Sequence, residues 1–202
     1  MNATHMPNPS FLSNTMRFLG EFLTKPATIG AVAPSSASLA REMVRAIGIE
    51  KARVVLEYGP GTGVFSEQIL KTAPSAKYVA IELSSSLAGV FRKRHPGVTL
   101  IQDSVGHARA ICDKEGIDAV DCIVSGLPWA AFSDAMQSEF LEEMMRVLRP
   151  GGTFATFAYV HGVWFSPGKR FAAKLPHYFA RVSKSPIVWR NLPPAFIYRC
   201  QR

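Results

Sequence analysis

The segment Glu57-Tyr58-Gly59-Pro60-Gly61-Thr62-Gly63 leaves an apolar run and enters an amphipathic one, and its residue types set what can bind there. Gly59, Gly61 and Gly63 permit a tight turn and let a ligand approach the backbone, at the strand ends where open α/β sheets bind ligands. Glu82 follows Gly63 by 19 residues, at the close of the next apolar run, where an acid accepts hydrogen bonds from ribose hydroxyls. Together they mark a nucleoside-containing ligand. A nicotinamide dinucleotide site prefers a third glycine where Val64 stands, and Glu57 would repel a pyrophosphate. Glu57 suits instead the cationic amino-acid end of S-adenosyl-L-methionine. Asp103, closing the third strand, is placed to accept from an adenine amino group, with capping of the next helix as its alternative role. Ser36, Thr62, Leu83 and Ser104 complete the expected cofactor-binding set. A second loop, Ser125-Gly126-Leu127-Pro128-Trp129, offers carbonyls to an amine's N–H groups and an aromatic face to its charge, a core or lid position being the alternative for Trp129. Methyl transfer from a sulfonium is an in-line displacement, so the protein's tasks are alignment and presentation of a neutral amine, and no metal is called for.

These loops need a frame, and the hydropathy pattern supplies one. Strands are predicted at 53–57, 77–82, 98–102, 120–125 and 153–160, alternating with helices at 64–71, 84–95, 106–114 and 134–148. Such alternation implies a parallel sheet covered on both faces. Two further strands, 178–189 and 195–200, flank Asn191-Leu192-Pro193-Pro194 and predict an antiparallel pair that completes a seven-stranded sheet. A helix opening at Pro34-Ser35-Ser36 precedes the first strand. Ahead of it, residues 10–24 predict a helix whose Phe11, Leu12, Met16, Phe18, Leu19, Phe22 and Leu23 share one face, before Pro26 ends it. That face fits docking on its own domain or burial in a membrane interface. The expected organisation is a membrane-associating segment and lid at 1–35 and one α/β domain at 36–202.

Charge divides unevenly along the 202 residues. Up to residue 143 there are 13 Lys/Arg and 15 Asp/Glu; from 144 onward there are 10 Lys/Arg and no acid. Aromatic residues interleave with these cations, which suits an anionic, partly apolar partner such as a lipid headgroup layer or nucleic acid. Cys112, Cys122 and Cys200 show neither disulfide nor zinc-ligand spacing. The chain lacks a recognisable signal segment and any run of about 18 apolar residues, so neither secretion nor membrane spanning is expected. No heptad pattern or separate interface segment sets an oligomeric state.

The 57–63 turn, Glu82, Asp103 and Leu148-Arg149-Pro150-Gly151-Gly152 resemble the class I S-adenosylmethionine-dependent methyltransferases. More narrowly, Phe18-Leu19-Gly20-Glu21-Phe22-Leu23, Gly30-Ala31-Val32-Ala33-Pro34-Ser35-Ser36, the Ser125–Trp129 loop and Asn191-Leu192-Pro193-Pro194-Ala195 resemble the bacterial phospholipid N-methyltransferases, a likeness covering nearly all the chain from Phe11 onward. The resemblance implies a Rossmann-like fold and a cytoplasmic enzyme held peripherally at the inner membrane face by its N-terminal helix. It implies methylation of phosphatidylethanolamine or its methylated intermediates, towards phosphatidylcholine. The expected partners are an anionic membrane surface and the phospholipid, with no specific nucleic acid. Ser125-Gly126-Leu127 and Trp129 are expected to position the amine, with Trp129 or Tyr159 facing the cationic products. Tyr159 and His161 are the candidates for accepting the amine's proton, and His161 also for the lipid phosphate, with Lys169, Arg170 or Lys174. Two alternatives stand beside this. The loop also resembles the Asn-Pro-Pro-Tyr motif of adenine-amino methyltransferases and the related loop of ribosomal RNA dimethylases, but Ser125 replaces the Asn and Trp129 the Tyr. A catalytically idle membrane-binding protein keeping the cofactor fold is the third reading.

Overall fold

The computed structural model describes residues 35–164 and 166–202; the helix expected at 10–24 lies outside them. Ser36 starts α1 (Ala37–Ala46), its hydroxyl accepting from the Leu39 N–H at 3.1 Å, a cap that stabilises a helix by about 1 kcal/mol. Leu39, Ala40, Met43 and Val44 form the buried stripe of that helix. Then β1 (Val54–Tyr58), α2 (Val64–Thr72), β2 (Lys77–Ile81), α3 (Ser85–Arg94), β3 (Thr99–Ile101), α4 (Ala108–Lys114), β4 (Val120–Ser125), α5 (Asp134–Val147) and β5 (Leu148–Tyr159) alternate as the hydropathy pattern predicts. After them come α6 (Ser166–Tyr178), β6 (Arg181–Lys184) and β7 (Ala195–Gln201). The seven strands run in the order β3-β2-β1-β4-β5-β7-β6, with β7 antiparallel to both neighbours. This is the Rossmann-like sheet with its antiparallel pair that the sequence leads one to expect.

Alternation along the strands sorts the core into two faces. Val55, Tyr78, Ala80, Cys122, Val124 and Ala155 pack with α1 and α2. The intervening Leu56, Tyr58, Val79, Ile81, Ile123 and Phe154 are buried on the opposite face. Strand order reverses between β1 and β4, the switch point at which ligands bind in such sheets. One rung, Ile101-Ile81-Tyr58-Ser125-Thr156, aligns the carboxyl ends of five strands, so the loops that follow all open on the same edge. The opposite edge is locked by Asp121 at a register shift between β4 and β5. Its carboxylate accepts from the Arg53 and Val54 N–H groups at 2.8 and 2.9 Å and from Arg149 Nε at 2.5 Å.

The C-terminal third differs from the expectation of a strand at 178–189. Residues 166–178 form a helix, because Phe171 and Leu175 recur at helical spacing and are buried, while β6 ends at Lys184, just ahead of Pro186, which has no N–H for a ladder. The connection to β7 is therefore a long loop pinned by the Val188–Ala195 bridge. Among the described residues no helix is long and apolar enough to cross a membrane.

Candidate active site

Glu57 is the innermost polar group at the shared edge. It is fully buried, and its Oε2 accepts from Ser66 Oγ at 2.8 Å and Tyr78 OH at 2.5 Å. Burial raises its carboxyl to about 7, against the two hydrogen bonds, and the negative charge of Glu82 adds to the rise. Oε1 has no partner among the described residues. A cationic amino group bonded to Oε1 would stabilise the ionised carboxylate.

The next layer is the turn itself. Gly59, Gly61 and Gly63 all have positive φ, at 65°, 57° and 88°. A Cβ on Gly63 would lie 2.3 Å from His95 Nε2, so a side chain here would have to displace that imidazole in addition to bearing the left-handed backbone. Glu82 braces the turn from the adjacent strand: Oε2 accepts from the Gly61 N–H at 3.1 Å and Oε1 from the Ser84 N–H at 2.9 Å. A carboxylate can accept about four hydrogen bonds, so Glu82 keeps capacity for a ribose hydroxyl beside these backbone donors. Burial raises the Glu82 carboxyl despite those bonds. Leu83 beside it is half-buried, and the Thr62 carbonyl accepts from Arg94 Nη1 at 2.8 Å, tying the turn to α3. Asp103 places Oδ1 against the Ser104 N–H at 2.7 Å and His107 Nδ1 at 2.8 Å, and Ser104 Oγ accepts from the Gly106 N–H. It thus orders the start of the following 3-10 turn, and Oδ2 receives no bond from a described residue.

Across the switch point, the Gly126 N–H bonds to the Tyr58 carbonyl at 2.8 Å, and a Cβ on Gly126 would stand 2.5 Å from the Gly59 oxygen. The two loops therefore touch closely, through backbone at Gly126 and through the Leu127 side chain against Gly59. Ser125 is fully buried; its Oγ accepts from the Leu127 N–H at 3.3 Å and Trp129 Nε1 at 3.1 Å. Trp129 occupies the core alternative left open by the sequence. Its ring stacks on Phe171 at 4.6 Å and meets Phe132, Phe140 and Phe154 edge-on, while its carbonyl accepts from Gln137 Nε2. Carbonyls of Ser125, Leu127, Pro128 and Trp129 all accept bonds; that of Gly126 accepts none from a described residue.

From Gly126 an aromatic row continues along the β5 end. Phe65 lies 5.8 Å from Phe157, Phe157 5.4 Å from Tyr159, and Tyr159 stacks on His161 at 5.6 Å. The Tyr159 hydroxyl is buried without a partner among the described residues, and burial pushes it up to about 12. It keeps its proton at neutral pH and so offers a hydrogen-bonding group beside His161, the other residue expected at this end. Ser36 joins this end rather than the glycine turn: its N–H donates to Asn191 Oδ1 at 2.9 Å, in the loop whose Pro194 carbonyl accepts from the Val160 N–H. Lys174 and Arg170 lie beside Asp134 on α5, Lys174 at 3.0 Å and also bonding Ser138 Oγ, Arg170 at 3.7 Å. Residues missed from the sequence are Tyr78 and Ser66, which fix Glu57, and Phe65 and Phe157. The available signal was a tyrosine expected inside a buried strand, whose hydroxyl must find an acceptor.

A Rossmann-like sheet with a glycine turn and two buried carboxylates at its switch point is the frame of a class I S-adenosylmethionine-dependent methyltransferase. A family model described as a methyltransferase domain matches residues 55–152. The ornithine lipid N-methyltransferase of Singulisphaera acidiphila is 32% identical over 91% of this chain and 94% of its own, and the chain belongs to the same methyltransferase family. Ribosomal RNA small subunit methyltransferase A of Chlorobaculum parvum is 42% identical over 32% of this chain and 23% of its own length. Among solved structures, the glycopeptide N-methyltransferase MtfA with bound S-adenosyl-L-homocysteine superposes with a TM-score of 0.66 at 16% identity, over 87% of this chain and 95% of that one. The cofactor is S-adenosyl-L-methionine.

Proposed function

We propose that the protein N-methylates the aliphatic amine of a membrane lipid headgroup, with phosphatidylethanolamine and its partly methylated forms as acceptors on the way to phosphatidylcholine. The observation that carries the reading is the nearly full-length relationship to a lipid N-methyltransferase. Site chemistry supports it. Bound S-adenosylmethionine supplies an electrophilic methyl group. Glu57, Glu82 and Asp103 are the residues to hold its ammonium, ribose and adenine ends. On the acceptor side, the free Gly126 carbonyl and the Tyr159 hydroxyl are the polar groups left to orient an amine, and His161 is the base next to them. Their surroundings, Phe65 and Phe157, exclude water without matching the edge of a nucleobase. The amine must lose its proton before attack, which is the role assigned to His161. The apolar face read from the sequence of the 1–35 segment and the acid-free C-terminal region support an anionic membrane surface as the setting for this chemistry.

An amino-acid headgroup is the second reading, favoured by the name of the S. acidiphila relative. Expression in a host that makes both phosphatidylethanolamine and ornithine lipid, followed by mass analysis of extracted lipids, tests both. Methylated phosphatidylethanolamine supports the first acceptor and methylated ornithine lipid the second. Unchanged lipids alongside a folded, cofactor-binding protein would remove the lipid reading.

A further inference from the structure

The loop between β6 and β7 carries an arrangement that neither the cofactor site nor the acceptor site uses. Trp189 is 71% exposed and Leu192 77%, and Ile187 beside them is 38% exposed. Isolated apolar residues on a surface are ordinary, but three within six positions, including a tryptophan, form a patch. The loop beneath them is well pinned. Asn191, 1% exposed, accepts from the Ser36 N–H through Oδ1 at 2.9 Å and donates through Nδ2 to the Pro193 carbonyl at 2.8 Å. Val188 exchanges a bridge with Ala195, and the Asn191 N–H reaches the Val188 carbonyl at 3.1 Å. A buried asparagine thus holds an apolar tip out into water, so little ordering entropy stands against its insertion into a partner.

Charge around the tip indicates the partner. Arg181, Lys184 and Arg190 are exposed, no acid occurs after residue 143, and Arg181 and Arg190 form no ion pair with a described residue. Lys184 lies over the rings of Phe196 and Tyr198 at 5.2 and 5.5 Å, at the flank of the same sheet edge. Tryptophan and leucine backed by unpaired arginines match the boundary between acyl chains and anionic headgroups. Nucleic acid would find a use for Trp189 and Arg190, but Leu192 and Ile187 neither stack on bases nor bond to them.

We propose that the 186–193 loop is a preformed membrane-insertion tip, with Trp189 and Leu192 entering an anionic lipid surface and Arg181 and Arg190 meeting its headgroups. It is a contact additional to the one expected of the N-terminal segment from its sequence. The chain re-enters the sheet directly from this tip: Ala195 pairs with Tyr159, and the Pro194 carbonyl accepts from the Val160 N–H at 3.0 Å. Insertion therefore sets the Tyr159–His161 end of the site at the lipid surface. This use of the tip rests on the proposed lipid acceptor; the binding itself does not.

The test uses the full-length chain, vesicles of phosphatidylglycerol and phosphatidylcholine, and the double variant Trp189→Ala/Leu192→Ala. Its affinity for these vesicles is expected to fall about tenfold or more, with thermal midpoint and S-adenosylhomocysteine affinity unchanged. Arg181→Gln/Arg190→Gln is expected to lower affinity and flatten its salt dependence. Independently of variant folding, brominated lipid is expected to quench wild-type tryptophan fluorescence more than that of Trp189→Phe. Equal vesicle affinity of the double variant with equal quenching would overturn the proposal. A change in self-association, or in RNA binding, with vesicle affinity intact would do the same and assign the tip to a second copy or to RNA. Transfer to a short-chain lipid below its micellar concentration separates the two readings. Vesicle binding through the tip without methylation of any lipid sinks the acceptor reading alone, whereas methylation with a tip-independent vesicle affinity sinks the tip alone.

Discussion

The two halves of the sheet edge meet the same problem, placing polar groups where water is scarce, in opposite ways. On the β1–β3 side, carboxylates are buried and largely paired by the protein itself: Glu57 with Ser66 and Tyr78, Glu82 with Gly61 and Ser84. What remains unpaired, chiefly Glu57 Oε1, is a negative of the cofactor's cationic end. The β4–β5 side is lined by Phe65, Phe157, Tyr159 and His161, and its unpaired polar groups are a carbonyl and a phenol. In the proposed function, one half recognises by charge and hydrogen bonds built in advance, while the other selects by apolar exclusion and leaves the acceptor's own chemistry to supply the charge.

Variants in either half test this division. Glu82→Ala has the largest expected effect: two backbone N–H groups lose a charged acceptor and the ribose loses its partner. The S-adenosylhomocysteine dissociation constant is expected to rise about 100-fold by calorimetry, and an unchanged value contradicts the assignment. Gly126→Ala drives a methyl group into the Gly59 carbonyl, where the halves touch. A stability loss of about 2 kcal/mol is expected in urea, with loss of transfer activity, because neither backbone segment has room to yield.

Glu57→Gln probes the charge in the first half. The raised carboxyl, about 7, means the folded apoprotein holds a proton that the unfolded chain releases near 4.5. That contribution to stability is present below 4.5 and lost as pH rises through 7, while ammonium binding strengthens over the same rise as Glu57 ionises. Product affinity of the wild type is expected to increase between pH 5.5 and 7.5, by about tenfold, and the Gln variant to show a flat, weaker profile. Tyr159→Phe belongs to the second half and has the smallest expected effect: kcat/KM for lipid falls about fivefold with cofactor affinity unchanged, the cost of one orienting hydrogen bond. Movement of both quantities together would erase the distinction between the halves.

The first half was far more legible in the sequence than the second. Its ligand groups sit in one contiguous turn and at the ends of successive strands, where hydropathy alternation fixes their position. Only the support of Glu57 was hidden, since Tyr78 and Ser66 come from other elements and reach it through the fold. For the second half, Trp129 had two defensible places, and the choice was made by Phe171, from the helix Ser166–Tyr178, which the hydropathy pattern did not reveal. Asp121 was equally silent, its three partners being scattered over Arg53, Val54 and Arg149.

Methyl transfer from labelled S-adenosylmethionine to anionic liposomes containing phosphatidylethanolamine, with total RNA offered in the same reaction and the products separated by class, tests the central claim most directly. Label is expected in the lipid fraction, its mobility showing how many methyl groups were added. Label confined to RNA would contradict the reading of the Gly126–Tyr159 edge as a site for an aliphatic lipid amine.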